Sequence, residues 1–154
     1  MMIKKLFLIF VLAAVPLFAA PNISWTPLLQ QTAIYFSSDR VTLGGMGISA
    51  GARFVHHNRL FAQTDAGILW GNGNAVTTRL AVGVQRDGRW CPAIMGTFGL
   101  LWGERTEILS PAGERPPSPV WVTGLRIAPL RFEGDSGLIS ALELGYGIGD
   151  RKSV

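Results

Sequence analysis

Between residues 41 and 148 the chain alternates, residue by residue, between apolar side chains and side chains that are polar or small. Successive side chains of a β-strand point to opposite faces, so a sustained period of two specifies strands with two unlike faces. Amphipathic helices are excluded, because their apolar positions recur every 3.6 residues. The pattern predicts strands over 41–55, 60–70, 74–85, 89–103, 120–132 and 137–148, with a weaker one over 28–36. Nineteen glycines and nine prolines also argue against a helical bundle.

The separators are turn signals: His56-His57-Asn58-Arg59, Gly71-Asn72-Gly73, Arg86-Asp87-Gly88, the long stretch 104–119, and Glu133-Gly134-Asp135-Ser136. Three residues ending in Asn-Gly or Asp-Gly suit a type I turn followed by a left-handed glycine, which closes a tight hairpin. Adjacent strands are then antiparallel neighbours in an up-and-down meander. A three-residue loop over Gly71-Asn72-Gly73 sets Trp70 opposite Asn74, and the same register sets Asp65 opposite Arg79. A two-residue loop would slip the pairing by one and mix the faces, which sheet geometry forbids without a bulge. Arg126 and Glu143 flank the 133–136 turn on the same face, and their strands can pair only if a bulge or an even-length loop, near Pro129, changes the count.

One face carries Met46, Ile48, Leu60, Ile68, Val76, Leu80, Val84, Ile94, Leu125 and Leu144, with no charge anywhere on it. The other carries Arg53, Gln63, Asp65, Arg79, Arg126 and Glu143 among many glycines, including Gly45, Gly51, Gly67, Gly83, Gly124 and Gly147. In a soluble barrel the apolar face is the core, whereas in an outer-membrane barrel it meets lipid and the polar, small face fills a narrow lumen.

Three features favour lipid. Glycine weakens a strand unless the backbone must be crowded, as it is inside a small barrel. No lysine lies between Lys5 and Lys152, which is unusual for a water-facing surface. The aromatic residues fall at strand ends: Tyr35, Trp70, Trp102, Trp121 and Tyr146 on one rim, Phe54 and Trp90 on the other. Such girdles are expected where amphipathic rings sit at headgroup level.

The first nineteen residues read as a secretory signal peptide. Met1 to Lys5 is basic, Leu6 to Phe18 is apolar, and Ala19-Ala20 is a small-residue exit, with removal expected after Ala19. An apolar run of about 13 residues is short of the roughly 20 that a spanning helix needs. The remainder, 20–154, is expected to be a single domain. Without Lys4 and Lys5, 12 basic residues face 10 acidic ones, so the charge balance implies no nucleic-acid partner. The single cysteine, Cys91, excludes an intramolecular disulfide, and its place on the inner face suggests packing rather than reactivity.

The leader, the alternating strands of about ten residues, the aromatic rims and the glycine-rich inner face resemble the small eight-stranded outer-membrane barrels of diderm bacteria, of the opacity-protein and OmpW-like type. The resemblance covers residues 28–148 and is architectural, without a specific motif. It implies location in the bacterial outer membrane, contact with outer-membrane lipid, insertion by the barrel-assembly machinery, and a structural, adhesive or narrow passive-channel role. One departure is the end of the chain, Gly149-Asp150-Arg151-Lys152-Ser153-Val154, where such barrels place an aromatic-terminated strand. Seven strands cannot close with an antiparallel seam, so either the first segment contributes differently or the barrel is one strand short of closure.

Chemistry is sparse. His56-His57 is the only histidine pair and lies in a turn signal, and no nucleophile elbow, metal-spaced histidine cluster or phosphate loop occurs. Neither catalysis nor a metal or cofactor is expected. The 104–119 loop, with Pro111, Pro116, Pro117 and Pro119, is where a small solute or host ligand would dock. The alternatives are a secreted soluble lipocalin-like binder and a rim-located lipid-modifying enzyme using the histidine pair.

Overall fold

Among the described residues seven strands follow one another: β1 (Ile23–Ser38), β2 (Thr42–His56), β3 (Leu60–Gly71), β4 (Asn74–Gln85), β5 (Ala93–Gly103), β6 (Val120–Glu133) and β7 (Leu138–Gly149). They come from a computed structural model that describes residues 23–38, 42–57, 59–71, 74–103 and 120–149. Residues 1–22, 39–41, 58, 72–73, 104–119 and 150–154 lie outside the described residues, and with them the expected signal peptide, the proline-rich 104–119 segment and the last residues of the chain. Each strand pairs antiparallel with the next, and β1 also pairs with β7, so the sheet closes into a barrel.

An odd number of up-and-down strands brings the first and last together in the same direction, and the β1–β7 seam is parallel, from Leu29 opposite Leu138 to Ser38 opposite Gly147. The barrel therefore closes with seven strands, not the eight implied by the resemblance, and it is not left open. The first strand makes this closure. It begins at Ile23 rather than 28 and runs for 16 residues, pairing with β2 along its length and with β7 along its upper part.

Registers follow from the turns. Trp70 stands opposite Asn74, and Asp65 opposite Arg79, as a three-residue loop requires. His56 stands opposite Leu60 across a turn in which His57 takes a positive φ of 49°. The connection after β4 departs from the expected three-residue hairpin. Gln85 pairs with Ala93, so the loop spans 86–92, with Gly88 at φ 111°. Residues 89–92 instead follow the lower end of β6, where the Cys91 N–H donates to the Arg131 carbonyl at 2.8 Å and Trp90 bridges to Phe132. The pairing slid by an even number of residues, so the two faces stayed the same.

Between Ile127 and Leu130 the β6–β7 register shifts by one residue, a bulge at Ala128-Pro129. Pro129 and Leu130 both point outward, and Arg131 returns to the inside.

Exposure is inverted relative to a water-soluble barrel. Ile48, Ile68, Val76, Ile94 and Leu125 are exposed on the outside, while Arg53, Asp65, Arg126, Arg131 and Glu143 are buried within. Tight curvature explains the inner glycines. A Cβ at Gly51 would run into the Thr64 carbonyl oxygen, and one at Gly147 into that of Thr123. Gly145 leaves room for the Phe36 ring and the Arg126 stem, which a Cβ there would meet at 2.7 and 2.8 Å.

Candidate functional site in the barrel lumen

The inward side chains form layers. With the 103–120 connection taken as the upper end, Phe36, Leu69, Leu101, Val120 and Val122 make an upper apolar layer. Val55, Phe61, Ala81, Ala93, Met95 and Ala128 make a lower one. Between them lies a charge cluster built from five strands.

Glu143 on β7 is its hub. It accepts from Arg79 at 2.7 and 3.0 Å, from Arg126 at 3.1 Å and from Gln30 at 2.9 Å. Asp65 accepts from Arg79 Nε at 3.0 Å and from Gln63 at 3.1 Å. Two guanidiniums and two carboxylates thus compensate one another in a buried space, where each charge without the others would be costly. Arg126 also lies over the Phe36 ring, 5.0 Å from its centre. A cavity of about 60 Å³ remains between this cluster and the upper apolar layer, reached by Thr32 and Thr77. It has room for a few water molecules.

The lower end holds a second set. Arg53 donates to Glu133 at 2.7 Å. Arg131 donates to Gln85 at 2.6 Å and to Gln63 at 3.3 Å, with its guanidinium 5.0 Å from the centre of the Phe61 ring.

The five polar residues expected on the inner face, Arg53, Asp65, Arg79, Arg126 and Glu143, all reach the lumen, and four of them meet in the central cluster while Arg53 stands apart below. Arg126 and Glu143 meet diagonally rather than as a direct pair, because Arg126 stands opposite Gly145. Gln30, Arg131 and Glu133 were missing from the sequence reading. Gln30 belongs to the weakest strand pattern. Arg131 and Glu133 lie beyond the bulge, where strict alternation assigns them to the wrong face, and the only signal was Pro129 itself.

The aromatic residues sit near the strand ends. Tyr35, Trp70 and Tyr146 are exposed at the upper end and Trp102 and Trp121 are half-buried there; Trp90 is exposed and Phe54 half-buried at the lower end. Trp25 and Phe132, both exposed, join the lower group, and Trp25 stands opposite Phe54. Trp90 also donates from Nε1 to the Pro129 carbonyl at 3.1 Å.

Cys91 is buried, with Sγ 3.6 Å from the Arg131 carbonyl, and burial pushes its thiol up from the ordinary value. His56 and His57 stack edge to face at 4.0 Å. Among the described residues no group of His, Cys, Asp and Glu could hold a metal ion. Comparison with protein-family models, with curated proteins and with solved structures found no match to this chain.

Proposed function

We propose that the chain is an outer-membrane β-barrel protein of structural or adhesive type, without catalysis, in which the barrel is the anchor and the upper loops are the working surface. The observation that carries this reading is the inverted exposure: an uncharged outer belt of large apolar side chains around a buried charged interior. In water such a belt would associate, whereas in a bilayer it is the face that matches the solvent. Aromatic residues at both ends of the strands support the same placement, at the two lipid–water interfaces. A secreted lipocalin-like binder would need its apolar residues inside.

Among the barrel roles, anchoring is favoured over passive conduction. The charge cluster and the two apolar layers cross the lumen, and the cavity between the cluster and the upper layer is only about 60 Å³. The partners of this reading are outer-membrane lipid, the barrel-assembly machinery during insertion, and a solute or host ligand at the 104–119 segment, which joins β5 to β6 at the upper end. A rim-located lipid-modifying activity has less support, since the His56 and His57 rings stack on each other at a turn.

Fractionation tests the location. The full chain expressed in a diderm bacterium is expected in the outer-membrane fraction, with different gel migration in heated and unheated samples. Recovery in the periplasmic fraction, soluble without detergent, would refute the reading. Solute flux in reconstituted vesicles would move the function from anchor to channel.

A further inference from the structure

Charge is balanced in the centre of the lumen and unbalanced below it. Arg79 and Arg126 share Asp65 and Glu143. Lower down, Arg53 takes Glu133 as its partner. Arg131, fully buried, meets no carboxylate within ion-pair distance among the described residues, and its bonds go to the amide oxygens of Gln85 and Gln63. Gln63, which accepts from Arg131, stands opposite Arg53 on the neighbouring strand, so the two guanidiniums share the lower lumen. Phe61, a member of the lower apolar layer, lies against the Arg131 guanidinium at 5.0 Å from the ring centre.

A guanidinium charge in such a place is expensive unless a negative charge accompanies it. Three buried N–H groups of this pair, Arg53 Nε, Arg53 Nη1 and Arg131 Nε, also have no acceptor. Cys91 stands nearby, but burial keeps its thiol protonated, so it does not supply the missing charge. One monovalent anion accepting these N–H groups corrects the charge and the hydrogen bonding together.

We propose that the lower lumen is a binding site for one small inorganic monovalent anion, such as chloride, held by Arg53 and Arg131. Entry is from the lower end, beside the Glu133 side chain, which is 32% exposed. The site stands whether the barrel resides in lipid or in water, and its test uses the folded full chain in whichever medium keeps it folded.

The experiment is urea unfolding at constant ionic strength while sodium gluconate is replaced by sodium chloride. An anion that binds only the folded state raises the unfolding midpoint saturably with its concentration. The wild-type chain is expected to show such a rise. Arg131→Gln is expected to lose it, while Arg59→Gln, an exposed arginine at the lower turn, keeps it. Gln85→Glu places a carboxylate on Arg131 and is expected to remove the chloride dependence while raising the midpoint in gluconate. A wild-type midpoint that is equal in the two salts, or a Gln85→Glu chain with the full chloride shift, overturns the proposal. Because Gln85→Glu restores the charge balance, it decides the question even where Arg131→Gln does not fold.

Discussion

Glu143 carries the largest share of the interior's order at the scale of single residues. Its carboxylate is fully buried and accepts from side chains on three other strands: Gln30 on β1, Arg79 on β4 and Arg126 on β6. Removing one partner of a buried ion pair is far more damaging than removing a surface pair, because the remaining charge stays buried without compensation. Glu143→Ala leaves two guanidiniums short of one carboxylate and is expected to cost about 3–5 kcal/mol. Asp65→Asn is expected to cost less, since an amide oxygen can still accept from Arg79 Nε and Arg79 retains Glu143. Midpoints of urea unfolding for the two variants give the order, and a Glu143→Ala loss no larger than that of Asp65→Asn would contradict it.

The bulge in β6 is the element-scale device that places the lower set. Across it, Ala128 and Pro129 together face a single β7 residue, between the Ile127–Leu144 and Leu130–Leu142 pairs. Proline has no N–H to offer a ladder, so a bulge is where a strand accommodates it. Deleting Pro129 removes the extra residue and leaves both flanking registers and both faces as they were. That variant is expected to assemble, keeping Arg131 and Glu133 inward and losing the Trp90 bond to the Pro129 carbonyl. Deleting Ala81, in the regular part of β4, turns half a strand inside out and is expected to prevent assembly. Protease resistance of the two deletion variants separates these outcomes, and assembly of both would deny that parity governs the barrel.

For the molecule as a whole, the proposed bilayer sets a depth scale along every strand. Leu80 stands mid-strand on the outer face of β4 opposite Thr64, and Val76 stands one turn of alternation from the upper end, opposite Trp102 on β5. An arginine facing lipid costs about 2–4 kcal/mol at the bilayer midplane and little near the interfaces. Leu80→Arg is therefore expected to reduce the membrane-inserted fraction well below that of Val76→Arg. Equal effects at the two depths would argue that water, not lipid, surrounds the outer face.

Alternation by itself determined which segments are strands and, up to the bulge at Ala128-Pro129, which residues share a face, because a period of two is a local property that survives errors in loop length whenever the error is even. The slide at 86–92 shows this: Gln85 meets Ala93 rather than Arg89, yet Val84 and Ile94 still share the outer face. Turn chemistry added the β3–β4 register, and with it the Asp65–Arg79 pair. What only the tertiary structure decided was how the ends meet and which charges converge. The parallel closure of β1 on β7 depends on contacts more than a hundred residues apart, such as Gln31 with Ser140. The pairing of Arg79 with Glu143 crosses the lumen between strands that are not neighbours in the sheet. Neither is visible in a strand's own pattern, because side chains meeting across a lumen are placed by the curvature and stagger of the closed sheet, which no single segment encodes.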